Sequence, residues 1–436
     1  MQSEQEEGLY QLSSGVEEFS LENGLKVLIK NIPTSSTASV WVFYRVGSRN
    51  EILGRTGSSH WCEHMLFKGG GKLAKGDVFK LISNEGGRNN AFTDHDLTAY
   101  FETLPKDKYE LGLFIESERM AKSAFEPSEV ESERQVVISE REGGENYPTT
   151  ILREELFATA FHVHPYRWPV VGWKNDLKTM TRDDLFSHYK KFYNPNNATL
   201  ILVGNIDPKE AMNKIRQYFS NIEPHDRPKQ ELPYQEPEQM GERTSNIVKP
   251  GSLNYLLVGY HIPKTTHKDT PALIVLSSVL GGWKGLIGYS GERFVPKSNR
   301  LYKKLVEGGI ASEVNTYFPI NLDPSLIYFE LTIMPSSNIE SAKHALISEI
   351  EKVCDSGPTE EEIQIAYNQI RAWHTYENDG TASQALTLGV SDLISDKSFS
   401  DSITSSSLLV SADDIRRVGK TYLAERSRTV CSYHAN

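Results

Sequence analysis

Disulfides, a membrane span and a basic surface are all missing from this sequence, and each absence excludes something. Its 436 residues hold three cysteines, Cys62, Cys354 and Cys431, odd in number and widely spaced. No disulfide framework follows, so the fold stands on its core. No stretch approaches the roughly 18 consecutive apolar residues that a helix needs to cross a bilayer. The formal net charge of −11 argues against nucleic acid as a partner. The opening MQSEQEEGLY is acidic and polar and carries no apolar stretch of a secretory signal. Compartment is therefore open: cytoplasmic on the sequence as given, periplasmic if a signal has been removed.

What is present describes a globular chain too long for one ordinary core, so two domains, or four smaller ones, are expected. Glu17–Leu21 and Leu25–Ile29 flank Asn23-Gly24, a strong hairpin signal. The pattern predicts strands at Ala38–Tyr44, Ala91–Thr103 and Ala198–Val203. It predicts helices at Asp77–Asn84, Tyr109–Lys122, Glu129–Glu142, Ile151–Phe161 and Arg182–Phe192. Residues 221–245 carry four prolines and many charges with no apolar period, the composition of a linker. The expected division is a domain over 1–222, a linker over 223–245 and a second domain over 246–436.

The richest stretch is His60-Trp61-Cys62-Glu63-His64. On a helix His60 and His64 lie at i and i+4, one above the other, so two ring nitrogens can reach one divalent ion. Glu63 sits beside them, placed to take a proton from an activated water without being a ligand. This H-x-x-E-H pattern is the inverzincin signature. Cys62 falls on the opposite side of the helix and reads as a small buried hydrophobe.

The second half repeats the first. Leu253–Tyr260 reads as a strand like Val40–Tyr44, and Leu273–Leu280 as a helix matching the His60 helix. Pro358-Thr359-Glu360 lies 231 positions after Pro127-Ser128-Glu129, and Tyr422 and Thr429 lie 230 after Phe192 and Thr199. Two landmarks with nearly one offset point to two copies of an α+β unit. The copy of the His60 helix has neither His nor Glu, and Glu133 and Glu140 map onto Gln364 and Arg371. The fold unit is present twice and the metal-type residues once, which favours function over packing for them.

A catalytic zinc takes three protein ligands and one open position. The third is sought on the Glu129–Glu142 helix, where Glu133 and Glu140 are seven apart and share a face. Glu140 follows the apolar run Val136-Val137-Ile138, which pins that turn to the core. A carboxylate there costs several kcal/mol unless a cation meets it. Glu133, two turns earlier, suits a role behind a ligand. His162 and His164 form an H-x-H that lacks a third ligand and reads as a structural loop. Asp94-His95-Asp96 reads as the cap of a turn. Asn197-Ala198-Thr199 fits a glycosylation sequon, without weight in the absence of a signal.

His60-x-x-Glu63-His64, the distant Glu140 and Gly86-Gly87-x-x-Asn90-Ala91-Phe92-Thr93 together resemble the pitrilysin family of zinc peptidases, over nearly the whole chain. The length is similar to the subfamily that includes mitochondrial processing peptidase. The resemblance implies one zinc per chain on His60, His64 and Glu140, with Glu63 as general base and Glu133 as the supporting acid. It implies an α+β fold of two homologous domains, each a mostly antiparallel sheet covered by helices. It also implies an extended peptide substrate bound along Asn90, Ala91 and Phe92.

One departure matters. The family's second half usually carries Arg and Tyr seven apart, which hold the substrate carbonyl. Here the Arg position falls on Val306 and the Tyr position on Ser312 or Glu313, while Arg300, Tyr302 and Tyr317 are out of register. The resemblance then implies the zinc-bearing member of a heterodimer whose other chain supplies the pair. A non-catalytic assembly protein and a self-sufficient homodimeric peptidase are the alternatives.

Overall fold

The computed structural model describes residues 9–232, 235–286 and 297–436. The acidic residues 1–8 of the opening, and Pro233 and Tyr234 of the proline-rich segment, lie outside the described residues.

The first half builds a six-stranded sheet from β1 (Val16–Ser20), β2 (Lys26–Asn31), β3 (Thr37–Tyr44), β4 (Arg88–Thr93), β5 (Thr98–Pro105) and β6 (Ala198–Gly204), in the order β1-β2-β6-β3-β5-β4. The second builds β7 (Arg243–Lys249), β8 (Tyr255–Ile262), β9 (Ala311–Tyr317), β10 (Ser325–Ile333) and β11 (Arg428–Ala435) into the order β7-β11-β8-β10-β9. Among the described residues only β2–β6 and β7–β11 pair in parallel, so both sheets are mostly antiparallel. The second order reproduces the first without β1. The repeat read from the sequence is a repeat of topology.

Helices α1 (Ser58–Met65), α2 (Asp77–Asn84), α3 (Tyr109–Lys122), α4 (Pro127–Gly144), α5 (Pro148–Ala160), α6 (Lys174–Thr179), α7 (Arg182–Phe192) and α8 (Pro208–Phe219) belong to the first half. Helices α9 (Thr270–Gly281), α10 (Ile339–Ser356), α11 (Glu360–Glu377), α12 (Thr381–Ile394), α13 (Phe399–Ser407) and α14 (Ala412–Tyr422) belong to the second. Their starts carry recognisable chemistry: Pro127 opens α4, and capping boxes from Thr181 with Asp184 and Thr359 with Glu362 open α7 and α11.

Each sheet is covered on both faces, and one cover comes from the other half. Val40, Val42 and Tyr44 face Trp61, Cys62 and Met65 of α1. On the opposite face Trp41, Phe43 and Ile201 meet Ala385 and Leu388 of α12. In return Leu152 and Leu156 of α5 cover Leu257, Leu326 and Tyr433 of the second sheet. This exchange explains why β3 reads as a continuous apolar run rather than an alternation. A Cβ on Gly389 of α12 would stand 2.1 Å from the Phe43 ring. Helix propensity favours Ala over Gly by about 1 kcal/mol, whereas overpacking costs about 1–3 kcal/mol. At 2.1 Å the clash wins, so Gly389→Ala is expected to lower stability in denaturant melts; a rise would refute the close approach.

A buried polar network ties the halves where α5 and the β4–β5 turn meet the second half. Tyr166 donates to both Asp96 oxygens at 2.8 Å, and Asn321 and Leu322 N–H donate to Asp96 at 3.1 and 2.9 Å. Arg49 lies 3.5 Å from Asp96 and donates to Asp323 at 2.5 Å. Its guanidinium also donates to the carbonyl of Gln230, so the proline-rich segment is held too. Glu236 fastens the same segment by accepting the N–H groups of His162, Val163 and His164 at 2.7, 2.9 and 2.9 Å.

Burial pushes Asp323 up, but the His164 hydrogen bond and the Arg49 charge outweigh it and hold the carboxyl below its usual range. A depressed folded value means stability present above the unfolded value and lost as pH falls through the folded one. Asp323→Asn should therefore be less stable than the parent near neutral pH and converge with it in acid, as read by urea unfolding at several pH values.

Two expectations about local structure change. Ala91–Thr103 is not one strand: β4 and β5 form a hairpin in which Asp94 N–H donates to Leu97 carbonyl at 2.8 Å. The Asp94 carboxylate accepts the His95 N–H at 2.7 Å, making the turn without glycine. The last residues of the proline-rich segment, from Arg243, join β7.

Candidate active site

Helix α1 packs its apolar side, Trp61, Cys62 and Met65, into the first sheet. That turns His60, Glu63 and His64 toward α4. The Arg134 guanidinium lies over the Trp61 ring, 4.8 Å from its centre, and donates to Leu177 carbonyl, joining α1, α4 and α6. Cys62 is fully buried with its Sγ 3.5 Å from Leu185 carbonyl, clear of the imidazoles.

The structure brings His60, His64 and Glu140 together, with one ligand atom from each lying within 4.8 Å of the others. His60 Nε2 and His64 Nε2 stand 3.7 and 3.4 Å from the same Glu140 oxygen. Both distances are long for hydrogen bonds. They match the spacing of about 3.3 Å that bonds near 2.05 Å give between ligands in a tetrahedron. Two nitrogens and a carboxylate oxygen facing one gap fit zinc. Burial, with neighbouring His64, lowers the His60 imidazole to about 3, so its lone pair is free at neutral pH.

Glu133 sits behind this group. His64 Nδ1 lies 2.9 Å from Glu133 Oε1, and Lys68 meets the other carboxylate oxygen. Burial raises the Glu133 carboxyl, but the bonds from His64 and Lys68 outweigh it and hold it low, hence ionised. An ionised Glu133 fixes the Nδ1–H tautomer of His64 and leaves Nε2 free to ligate. His64 itself loses basicity to burial and regains more from Glu133 and Glu140, ending above its usual value.

Glu63 is mostly buried, and burial raises its carboxyl above the usual range against the pull of the Thr93 hydrogen bond. Thr93 Oγ1 donates to Glu63 Oε2 at 2.7 Å. Motif reading missed Lys68 as a partner, and it took in Thr93 only as the end of the Gly86–Thr93 motif, without its bond to Glu63. Lys68 carried a signal, since it stands four residues after His64. The pairing of Thr93 with Glu63 did not, because it depends on β4 crossing beside α1.

Asn90, Ala91 and Phe92 lie on β4, the sheet's edge strand, where β5 is the neighbour. Asn90 is exposed, Ala91 is buried and Phe92 sets its ring edge-on to Trp41, 6.4 Å away. The outer side of β4 is an edge to which an extended peptide can add.

In the second half Val306 ends the turn Tyr302–Val306, and Ser312 is exposed at the start of β9, donating to Thr332 carbonyl at 3.3 Å. Arg300 is committed elsewhere, with two bonds to Glu362 at 2.5 and 2.8 Å. Tyr317 stacks on Tyr328, centres 4.6 Å apart. Exposed His162 and buried His164 do not converge on a common point; His164 binds Asp323 at 3.2 Å. A cavity of about 570 Å³ beside Lys72, Glu118, Lys190 and Tyr218 includes none of the candidate site residues.

Residues 26–172 match the family model "Insulinase (Peptidase family M16)", and residues 179–370 match "Peptidase M16 inactive domain". The zinc protease PqqE of Helicobacter pylori is 30% identical over 354 residues, covering 80% of this chain and 76% of the relative. The chain belongs to peptidase family M16. The mitochondrial-processing peptidase subunit beta of Lentinula edodes is 24% identical over 95% of this chain and 88% of its own length. The crystal structure of a protease from Helicobacter pylori superposes with a TM-score of 0.90 at 27% identity, over 96% of this chain and 99% of that one. The match to the inactive-domain model ends at residue 370 and takes in the larger part of the second half. In this M16 chain the cluster of His60, His64 and Glu140 lies within the residues that match the insulinase model.

Proposed function

We propose that this chain is the zinc-bearing subunit of an endopeptidase that hydrolyses peptide bonds in segments held extended, and that a homologous partner supplies the Arg and Tyr it lacks. The observation that carries the reading is one gap faced by His60, His64 and Glu140 with Glu63 beside it. Residues 1–222 form the catalytic domain in this reading, and 246–436 the metal-free one. Relatives named zinc protease and processing-peptidase subunit beta support it.

A zinc ion held there would supply a Lewis acid for a water and for the scissile carbonyl. The chain's own residues do the rest. Asn90, Ala91 and Phe92 offer the β4 edge, which aligns an extended backbone by main-chain hydrogen bonds. Glu63 is aimed by Thr93, accepts the water's proton and returns it to the leaving amine. Its raised value brings it nearer the operating pH, where such a base works best. Glu133 keeps His64 in the right tautomer.

The need for a partner is carried by Val306 and Ser312 and by the commitment of Arg300 to Glu362. A non-catalytic role is disfavoured by the intact ligand set. The test is cleavage of unstructured peptides by the pure chain alone, then mixed with a family member that carries Arg and Tyr seven apart and no H-x-x-E-H. Activity is expected with the mixture; vigorous cleavage by the chain alone would replace the heterodimer with a self-sufficient enzyme.

A further inference from the structure

The helix that carries the zinc ligands has no capping side chain of its own. Its N-cap is Gly57, at φ +88°, and a Cβ there would stand 2.3 Å from Val171 carbonyl. A helix leaves its first N–H groups unpaired, and Ser, Thr, Asp or Asn at the N-cap normally meets one of them. Gly57 cannot. The task falls to Glu51, from the loop before the helix. Its two oxygens accept the N–H groups of Gly57 and Ser59, each at 2.7 Å. Glu51 is only 3% exposed, so neither bond competes with bulk water.

The chain leading into the helix is held as well. Thr56 donates through its N–H and hydroxyl to Asp176 at 3.1 and 2.7 Å, and its hydroxyl accepts the Trp173 N–H at 2.8 Å. The Ser59 hydroxyl meets His188 Nε2 at 3.1 Å. Among these contacts only Glu51 reaches backbone N–H groups at the helix start.

Helix α1 has eight residues, and His60 is its third. A helix this short has little stability of its own and frays from its ends, so the first turn, with His60, loosens first. A zinc ligand has a tolerance of about 0.2 Å. We infer that Glu51 is a positioning residue of the metal site: by capping both N–H groups it fixes the first turn of α1 and so the imidazole of His60. This inference rests on the zinc reading above.

Glu51→Gln tests it in the full chain. Gln offers one accepting oxygen and sets its NH2 against the other N–H, so one of the two bonds is lost. Zinc affinity, measured by chelator competition, is expected to fall about 10- to 100-fold, the range seen when a group orienting a ligand is removed. With activity restored by the partner, kcat should fall while KM holds, because β4 is untouched. Glu51→Asp, which keeps the carboxyl but has a shorter reach, should fall between parent and Gln. Gly389→Ala, destabilised at a contact with Phe43 on the sheet face opposite α1, shows how far general loss of stability alone weakens zinc. If Glu51→Gln binds zinc as the parent does, or no worse than Gly389→Ala, the inference is overturned. If the parent binds no zinc, the zinc reading itself fails, which is a distinguishable result. Should Glu51→Gln not fold, the comparison of Glu51→Asp with Gly389→Ala decides in the same way.

Discussion

Glu63→Gln should abolish peptide hydrolysis while leaving one zinc bound per chain. General acid–base catalysis contributes about 10²- to 10⁴-fold, and loss of that order is expected in kcat. Gln keeps the volume of the side chain, and its oxygen can still accept from Thr93 Oγ1, so packing around α1 is retained. It cannot take a proton. His60, His64 and Glu140 are unaltered, so zinc should titrate as in the parent. Glu63 is bonded to Thr93 and acts on His64 through charge, which separates base from ligand. A variant that kept full turnover would remove Glu63 from the base role; one that lost zinc would make it part of the ligand set.

The second large effect lies in the network between the halves. Exposed ion pairs contribute about 0–1 kcal/mol, and most of those on this surface fall in that class. The Asp96 network differs, because Asp96, Arg49 and Tyr166 are 4%, 2% and 0% exposed. Removing one partner of a buried pair leaves the other charge without compensation, at about 3–5 kcal/mol. Asp96→Ala would leave the Tyr166 hydroxyl and the Asn321 amide without their acceptor and leave Arg49 with Asp323 as its remaining charge partner. That is a large share of a total stability of about 5–15 kcal/mol. Because the partners come from both halves, the variant is expected to unfold in urea with a lower midpoint and reduced cooperativity. Asp96→Asn, isosteric but uncharged, should lose less. A midpoint within experimental error of the parent would show that the network adds nothing to the joint.

What the sequence could reveal follows from how local each feature is. The hairpin around Asn23-Gly24 and helices α2, α3 and α7 were legible to the residue or nearly so, because period and turn chemistry lie within a dozen positions. The duplicated topology was legible from offsets alone. The exchange of α5 and α12 between sheets was not, since an apolar helix face does not say which sheet it covers. Gly389 illustrates this: its closeness to Phe43 joins residues from opposite ends of the chain. Asp94-His95-Asp96 was legible as a turn but not as an anchor. Only the fold brings Asp96 to Asn321 and Leu322.

The candidate site was more legible than the joint, because His60, Glu63 and His64 lie within five residues and Glu140 follows on a strongly marked helix. What remained hidden were the groups that hold them. Thr93 stood in the Gly86–Thr93 motif, but its bond to Glu63 needs the strand in place, and Glu51 is a carboxylate with no motif around it.

The most direct measurement is zinc per chain, by elemental analysis and chelator competition, in the parent and in Glu140→Gln. The parent should hold one zinc, and Glu140→Gln, deprived of its charged ligand, should hold it far more weakly. A parent that holds none, or a Glu140→Gln variant that holds it as tightly, would contradict a metal centre on His60, His64 and Glu140.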